Sequence, residues 1–349
     1  MIPTYNIHKS YDENYNNGPD FSGEIPKAIK NKPIKLWGHA INSPLGIPAG
    51  PLLNAEYINL YAKLGFDLPV YKTVRTIQRN SHPKPNCLLV DRENALLESD
   101  IGAQIYSAKE QDTDKKSISI TNSFGIPSKP IEIWQSDIEK ANNTMDKNQL
   151  MIVSCVGTPL PERNIIEDYV LCATLAVEAG AKAIELNLSC PNVTSKEGSI
   201  YHDKGLSSII SKAVKNAIKD TPLMIKIGYI SDLDILGEII KANAPYVDGI
   251  AAINTITMQA VNPLGQQALP GKGRLNSGIC GKIIKDIGLQ MTKNLYTIKQ
   301  KNNYDYTICG VGGITSPSDF DDYLNAGADI VMSATGAMWN PYLALEWRK

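Results

Sequence analysis

The sequence is poor in residues that bind metals, and it has no cysteine pair at the spacing that metal sites use. Its 349 residues include only four histidines and six cysteines. Zinc and iron–sulfur sites need clustered ligands, and no CxxC pair occurs. We therefore expect no metal site, and free thiols rather than a disulfide framework. The cysteines are Cys87, Cys155, Cys172, Cys190, Cys280 and Cys309.

The sequence also lacks an excess of charge of one sign and any long hydrophobic run. Lys and Arg total 35, Asp and Glu total 36, and the formal net charge is −1. This balance gives no electrostatic reason to expect nucleic acid or an anionic membrane as partner. No apolar run approaches the roughly 20 residues of a membrane span, and the polar N-terminus does not resemble a signal peptide. We therefore expect a cytoplasmic protein.

Eight short apolar runs recur along the chain, and amphipathic helical stretches such as 164–180 and 232–244 lie between them. Each run is nearly continuous in apolar residues, which is typical of strands buried on both faces of a parallel sheet. The eight predicted strands cover residues 45–50, 70–74, 151–156, 183–188, 223–228, 249–255, 307–313 and 329–335.

Eight strands that alternate with helices predict an α/β fold, a single (β/α)8 TIM barrel. The alternative is an open Rossmann-like sheet, but no GxGxxG motif follows the first strand, where such folds carry it. We expect the barrel to span residues 36–349, after an N-terminal extension over residues 1–35. Residues 75–150, after the second strand, are too many for one connection, which indicates a long insertion over the site.

Polar side chains recur where the predicted strands end, at the face where barrels of this kind carry their chemistry. Lys72 and Thr73 end the second strand, Asn187 ends the fourth, and Asn254 and Thr255 end the sixth. Amides recognise a planar ligand that forms hydrogen bonds, and lysines stabilise negative charge. These residue types therefore indicate a small, planar, anionic ligand rather than a metal.

Lys226 lies within the fifth predicted strand, between two isoleucines. An unpaired buried charge is very costly, so its ammonium must reach the barrel mouth or find an anionic partner. Two interpretations stay open, namely an internal ion pair with a carboxylate such as Glu185 and a lysine that faces a ligand. We favour the second.

Glycines follow the seventh strand in GVGGI, and the eighth strand leads into SATG. Backbone N–H groups at glycine can approach a phosphate closely, and a hydroxyl supplies a further donor. Together with the lysines, the amides and a thiol, this pattern predicts a phosphorylated cofactor that carries electrons, while the protein supplies one acid/base group.

Cys190 lies in the segment NLSCPN, directly after the fourth strand. A free cysteine is often only a small buried hydrophobic side chain. A thiol with an ordinary pKa of about 8.5 can also exchange protons near neutral pH once its surroundings shift that pKa. Its place at the strand end, between Asn187 and Asn192, leaves both interpretations open. The other cysteines are expected in strand or helix cores (Cys155, Cys172, Cys309) or in loops (Cys87, Cys280).

Several motifs together resemble the dihydroorotate dehydrogenases and, more broadly, the FMN-dependent group that includes the pyrimidine-reducing domain of dihydropyrimidine dehydrogenase. The resemblance covers about residues 36–345 and implies a (β/α)8 barrel that oxidises dihydroorotate to orotate on FMN. The motifs are NLSCPNV, NSFGIP at 122–127, YKT, IKIG, INT, NSGICG at 276–281, and GVGGI.

In the soluble class 1 enzymes of this family the base is the cysteine of NLSCPN, so the resemblance implies that Cys190 is catalytic. It would remove the C5 proton of the substrate while hydride leaves C6 for N5 of FMN. The implied substrate-binding residues are Lys72, Asn122, Phe124, Gly125, Ile126, Asn187, Asn192 and Asn254. The implied FMN-binding residues are Ala49, Gly50, Lys72, Thr73, Asn122, Asn187, Lys226, Thr255, Ser277, Gly278, Gly312, Gly313, Ala334 and Thr335, with the last four at the phosphate.

The resemblance leaves the electron acceptor open. Fumarate would need no further protein, whereas NAD would need a partner subunit that carries FAD and an iron–sulfur cluster. Quinone is disfavoured by Cys190 and by the absence of an apolar N-terminal helix. A homodimer is expected from the resemblance, not from the composition.

Three other functions are alternatives to dihydroorotate oxidation. The nearest is FMN-dependent oxidation or reduction of another dihydropyrimidine, such as dihydrouracil. A lyase that uses Lys226 as a Schiff base would leave NLSCPN unexplained. A non-catalytic barrel is disfavoured because such a protein need not keep both Lys72 and Cys190.

Overall fold

Eight parallel strands close into a barrel in the computed structural model, which describes residues 3–26, 32–108, 117–188 and 200–349. In chain order the strands are β1 (Ile34–Leu36), β2 (His39–Ile41), β3 (Leu45–Ile47), β4 (Leu68–Val74), β5 (Gln104–Tyr106), β6 (Ser119–Asn122), β7 (Ile152–Cys155), β8 (Ala183–Asn187), β9 (Leu223–Ile227), β10 (Gly249–Ala252), β11 (Ile256–Val261), β12 (Asn276–Gly281), β13 (Thr307–Val311) and β14 (Ile330–Met332).

The barrel confirms the predicted fold class. Its strands follow one another around the barrel in chain order, β3-β4-β7-β8-β9-β10-β13-β14, and β14 pairs with β3 to close it. These are the eight predicted apolar runs. Every residue of β4, β8 and β9 is buried, as expected for strands with packed side chains on both faces.

Helices cover the outside of the barrel and alternate with its strands. In the described residues the α-helices are α1 (Tyr11–Asn17), α2 (Ala55–Lys63), α3 (Ile131–Thr144), α4 (Ile165–Glu178), α5 (Lys204–Ile218), α6 (Leu233–Asn243), α7 (Lys285–Asn302), α8 (Pro317–Asn325), α9 (Thr335–Trp339) and α10 (Leu343–Trp347). The long helices bury one face each; in α5, for example, Ile210 and Val214 are fully buried.

A second, four-stranded sheet was not predicted. It has the order β5-β11-β12-β6 and joins the insertion after β4 to the segment after β10. The expectation that Cys280 is a loop residue is therefore wrong, because it lies in β12 and its Sγ contacts the Ile120 carbonyl at 3.6 Å. Cys155, Cys172 and Cys309 are buried as expected, and so is Cys87.

The N-terminal residues 3–26 pack onto the barrel rather than away from it. Tyr5, Ile7 and Tyr11 belong to the same hydrophobic core as the strands and their helices. The Thr4 amide donates to the Met338 carbonyl at 3.0 Å, next to the C-terminal helices. Among the described residues no helix combines the length and the apolar character that crossing a membrane would require.

Candidate functional site

A cavity lies at the carboxyl ends of the barrel strands, between the barrel and the four-stranded sheet. Of the predicted site residues, those that line it are Ala49, Gly50, Lys72, Thr73, Asn122, Phe124, Ile126, Asn187, Lys226, Asn254, Thr255, Gly312, Gly313, Ala334 and Thr335.

Lys72 is held in the wall of this cavity by contacts that include a hydrogen bond and a contact with an aromatic ring. Its Nζ donates to the Gly50 carbonyl at 2.8 Å and lies 4.7 Å from the centroid of the Phe124 ring. An ammonium at this distance from an aromatic face is attracted by the ring. The side chain of Phe124 therefore helps to fix the position of a positive charge in the cavity wall.

Asn187 ends β8 beside Thr73, which lies in β4. Its Nδ2 donates to Thr73 Oγ1 at 3.4 Å, and Thr73 Oγ1 is 2.9 Å from Ser154 Oγ. The backbone carbonyl of Asn187 accepts a hydrogen bond from the Tyr169 hydroxyl at 3.0 Å. These bonds fix the backbone and the side-chain amide of Asn187 before any ligand binds, which lowers the free-energy cost of ligand binding.

Lys226 lies opposite Asn187 in the β8–β9 register and also lines the cavity. The alternative of an internal ion pair does not hold for the described residues, because both carboxylate oxygens of Glu185 are buried without a hydrogen-bond partner. Glu185 pairs in register with Met224, which lies two residues deeper in the barrel than Lys226. The ammonium is thus a positive charge that faces the cavity.

The segment from Asn122 to Ile126 forms the wall on the side of the second sheet. Asn122 lies in β6, and the Ile126 carbonyl accepts a bond from Arg75 Nε at 3.1 Å. Gly125 has φ +79°, and a Cβ there would lie 2.6 Å from His82 Nε2. Gly125 does not line the cavity; it lets the loop turn against His82 so that Phe124 and Ile126 face inward.

Arg274 fixes this same loop, and sequence reasoning missed it. Its side chain is 3% exposed and donates five hydrogen bonds of 2.7–3.1 Å. The acceptors are Ser123 Oγ and the carbonyls of Ser123, Pro83, Pro85 and Pro270. Burial lowers the pKa of the guanidinium, although Cys87 acts weakly in the opposite direction.

Another part of the cavity wall is built from the residues that follow β13 and β14. Gly313 has φ +71°, and a Cβ there would lie 2.5 Å from the Lys285 backbone. The Gly312 carbonyl accepts a 2.6 Å bond from the Tyr323 hydroxyl, which leaves its backbone fixed. The glycine backbone of this wall is suited to a phosphate. Thr255, which follows β10, also lines the cavity, and its buried Oγ1 has no hydrogen-bond partner among the described residues, so it is suited to a polar ligand atom.

Besides Gly125, the predicted residues Ser277 and Gly278 are described and do not line the cavity. Ser277 and Gly278 lie in β12, where Ser277 Oγ donates to the Asn122 carbonyl at 3.3 Å and supports the wall from behind. Cys190 and Asn192 lie outside the described residues. The lining residues that were not predicted are Pro48, Cys280, Gly281, Ile284, Val311, Ile314 and Met332. Most are apolar or backbone contributions, which carry no distinctive sequence signal.

No group of three or more His, Cys, Asp or Glu side chains that could hold a metal ion occurs in the described ranges.

Comparison with known proteins identifies the family. A sequence model of the family described as "Dihydroorotate dehydrogenase" matches residues 33–346. The chain belongs to the dihydroorotate dehydrogenase family. The resemblance found in the motifs is thereby confirmed, and the members of this family are FMN-dependent oxidoreductases that act on CH–CH donors.

Three relatives of this dihydroorotate dehydrogenase family member match between 63% and 99% of its chain. "Dihydroorotate dehydrogenase" of Dictyostelium discoideum is 39% identical over 99% of this chain and 96% of its own length. "Dihydroorotate dehydrogenase (quinone)" of Pseudoalteromonas translucida is 25% identical, over 89% and 84%. The catalytic subunit of "Dihydroorotate dehydrogenase B (NAD(+))" of Methanocaldococcus jannaschii is 30% identical, over 63% and 67%.

Solved structures of the Eimeria tenella enzyme share the fold. The ligand-free form superposes with a TM-score of 0.72 at 17% identity and covers 92% of this chain and 88% of its own. The complex with ferulenol gives a TM-score of 0.69, also at 17% identity, and covers 89% and 81%. At this identity the likeness supports the barrel alone.

Proposed function

We propose that this chain oxidises dihydroorotate to orotate in pyrimidine synthesis, with FMN bound in the cavity at the barrel mouth. The observation that carries the proposal is a cavity lined both by lysine and amide side chains and by glycine backbone. Family membership over residues 33–346 supports it. In the reaction, dihydroorotate loses a proton from C5 and a hydride from C6, and a C5=C6 double bond forms.

The cavity wall fits a phosphorylated flavin. Thr255 Oγ1 is buried and unsatisfied, so a polar ligand atom would remove the cost of its burial. At Gly50 nothing lies within 4 Å of the place where a Cβ would stand, so a flat ligand can approach that backbone. We propose that FMN is held by Ala49, Gly50, Lys72, Thr73, Asn122, Asn187, Lys226, Thr255, Gly312, Gly313, Ala334 and Thr335, with Ser277 and Gly278 in support.

We place the substrate at the end of the cavity where the Lys72 ammonium and the amides meet. A carboxylate needs a cation, and the ring amides of a dihydropyrimidine need partners that both donate and accept hydrogen bonds. Carboxamide side chains meet the second need. The proposed substrate-binding residues are Lys72, Asn122, Phe124, Ile126, Asn187, Asn192 and Asn254, and Gly125 shapes the loop that carries Phe124 and Ile126.

We assign removal of the C5 proton to Cys190. Asn187 lines the cavity at the end of β8, only three residues before Cys190, so the chain leaves the strand beside the site. A thiol in polar, partly exposed surroundings can act as a base near neutral pH. When bound, FMN supplies the acceptor for the hydride that leaves C6. Lys226 keeps a positive charge in the wall, which stabilises negative charge that develops during the reaction.

The acceptor and the partners belong to the same proposal. The names of two relatives include NAD(+) or quinone, and the name of the 39% identical relative includes neither. We propose a cytoplasmic homodimer that takes a small-molecule dihydropyrimidine, with an electron-transfer subunit as partner if NAD is the acceptor. Rates of reoxidation of the reduced protein by fumarate, by a quinone and by NAD with the partner subunit separate the three.

The proposal is tested by purifying the protein and adding substrates without oxygen. We expect a yellow protein whose flavin absorbance is bleached by dihydroorotate and is unchanged by dihydrouracil. A protein that stays colourless after addition of FMN would contradict the cofactor assignment. Bleaching by dihydrouracil and not by dihydroorotate would show that the substrate is a different dihydropyrimidine.

The role of Cys190 is tested by Cys190→Ala with Cys172→Ala as the matched control. Cys172 is a buried thiol in α4, and its removal should leave flavin reduction unchanged. Cys190→Ala should retain FMN and slow reduction by about 10²–10⁴-fold, the usual worth of a general base. Near-normal reduction in Cys190→Ala would place the base elsewhere.

A further inference from the structure

The N-terminal segment 3–26 reaches the wall of the substrate end of the cavity. Tyr5 and Tyr11 are nearly fully buried, and both rings meet the ring of Phe124 edge to face. The Tyr5 and Phe124 centroids are 5.3 Å apart at 79°, and the Tyr11 and Phe124 centroids are 6.2 Å apart at 73°. This is the geometry that aromatic pairs prefer.

Phe124 connects the N-terminal segment to the cavity. Its ring lines the cavity on one side, and the ammonium of Lys72 lies over the ring at 4.7 Å. Tyr5, Phe124 and Lys72 therefore form a continuous row from the N-terminal segment to a charge in the binding site. Movement of the Phe124 ring would move both a wall of the cavity and the support of that charge.

A second route runs through hydrogen bonds. The Tyr5 hydroxyl donates to Asn86 Oδ1 at 3.4 Å, and Asn86 Nδ2 donates to the carbonyls of His82 and Ser123 at 3.0 and 3.3 Å. Ser123 directly precedes Phe124. Burial raises the pKa of the Tyr5 phenol, so the hydroxyl stays a donor throughout the neutral range.

The segment that carries these rings is itself tied to the barrel. Thr4 Oγ1 is 2.6 Å from the Tyr61 hydroxyl, and the Tyr57 hydroxyl donates to the Gly18 carbonyl at 3.2 Å. Helix α1, which carries Tyr11, begins with a capping box formed by Ser10 and Glu13. These anchors make the segment a rigid support, since they attach it on both sides of α1.

We propose that the N-terminal segment is a positioning element for substrate binding: Tyr5 and Tyr11 hold Phe124, and through it the 122–127 loop and Lys72, in the geometry that accepts the substrate. The inference rests on the proposed function, because it takes this loop as the substrate side of the cavity. Neither tyrosine lines the cavity, so both are positioning residues rather than catalytic ones.

The test compares Tyr5→Leu, Tyr5→Phe and a control, Phe21→Leu, in the full-length protein loaded with FMN. Phe21 lies in the same segment but packs on Tyr342, at 5.8 Å, away from Phe124. Calorimetric titration with orotate gives a dissociation constant without turnover, and anaerobic stopped flow with dihydroorotate gives an apparent dissociation constant and a limiting rate of flavin reduction.

For Tyr5→Leu we expect the dissociation constant of orotate to rise about five- to tenfold, the order that loss of one aromatic pair implies. The limiting rate of reduction should change less than about twofold, because no group that contacts the reacting atoms is removed. Tyr5→Phe keeps the ring and loses only the long hydrogen bond to Asn86, so its dissociation constant should rise by less than that of Tyr5→Leu, about two- to threefold at most. Phe21→Leu should stay close to wild type. A wild-type dissociation constant in Tyr5→Leu, or an equal rise in Phe21→Leu, would overturn the proposal.

A double-mutant cycle with Phe124→Leu separates positioning from a general loss of stability. If Tyr5 acts through Phe124, the double variant should bind orotate with the same dissociation constant as Phe124→Leu alone. Full additivity of the two effects would contradict the proposal. Should Tyr5→Leu not fold, the same cycle is run with Tyr11→Leu. Failure of the proposed function is distinct, since the wild-type flavin would then not be reduced by dihydroorotate.

Discussion

Asp319→Asn should destabilise the barrel and loosen its hold on the cofactor. Asp319 is 1% exposed and accepts hydrogen bonds of 2.8 Å from the amides of Thr315 and Ser316. It also forms ion pairs with Lys285 and, at 3.2 Å, with Lys282. These bonds fix the backbone directly after Gly312–Ile314, which lines the cavity.

The size of the effect follows from the pKa of this carboxyl. Burial alone would raise it, but the hydrogen bonds from Lys285 and the Thr315 amide, together with Lys282, lower the pKa from 3.8 to about 2. A difference of nearly two pH units corresponds to about 2 kcal/mol of folding free energy at neutral pH. Because the folded pKa is the lower one, this stability is present above pH 3.8 and is lost as the pH falls toward 2.

Urea unfolding of the wild type and of Asp319→Asn, followed by circular dichroism, measures the difference between their free energies of unfolding. We expect Asp319→Asn to lose about 2 kcal/mol at pH 7 and roughly half of that at pH 3. The matched control is Asp322→Asn, which pairs with the same Lys285 but is 48% exposed, so its loss should stay below about 0.5 kcal/mol. Equal losses in the two variants, or a gap that does not shrink in acid, would refute the reasoning.

Three further predictions concern the cavity wall. Gly125→Ala should cost at least about 1 kcal/mol of stability and weaken orotate binding, because φ is +79° and the new Cβ would meet His82; unchanged calorimetric binding would contradict this. Thr255→Val should lower FMN affinity in equilibrium dialysis without destabilising the apoprotein, since its buried hydroxyl has no hydrogen-bond partner in the described part of the chain; lower apoprotein stability would contradict this. Burial raises the pKa of Cys280 to about 11, so alkylation followed by mass spectrometry should be slow at pH 8 and faster toward pH 10; rapid alkylation at pH 8 would exclude that pKa.

The barrel was predictable because its strands are buried on both faces. That burial makes each strand a short, nearly unbroken apolar run, whereas the helices between the strands alternate apolar and polar residues at the helical period. The position of the cavity was predictable for the same reason, since polar residues at strand ends stand out against apolar strands. Lys72, Asn187 and Lys226 were found in this way, and all three line the cavity.

The four-stranded sheet could not be predicted from local pattern. Strand β5 has only three residues, and two of them are exposed. It pairs with β11, so Gln104 lies beside Gln259, a residue far away along the chain. Short strands with long-range partners carry almost no periodic signal, because their stability comes from the pairing itself.

Arg274 and Tyr5 were missed for a related reason. Arg274 follows a glycine-rich loop, and nothing in its neighbours indicates the four loop carbonyls that it joins. Tyr5 lies in a polar segment, where a tyrosine is no indication of a core. Both act on the 122–127 loop from distant parts of the chain, so only the tertiary structure brings them to the site.

The most direct test of the account is the yield of orotate in a single anaerobic turnover. The purified protein is mixed with dihydroorotate, the flavin absorbance is followed, and the product is identified by chromatography and mass spectrometry. The account predicts loss of the oxidised-flavin absorbance and one orotate formed for each FMN reduced. Flavin that stays oxidised in the presence of dihydroorotate, or that is bleached without formation of orotate, would contradict it.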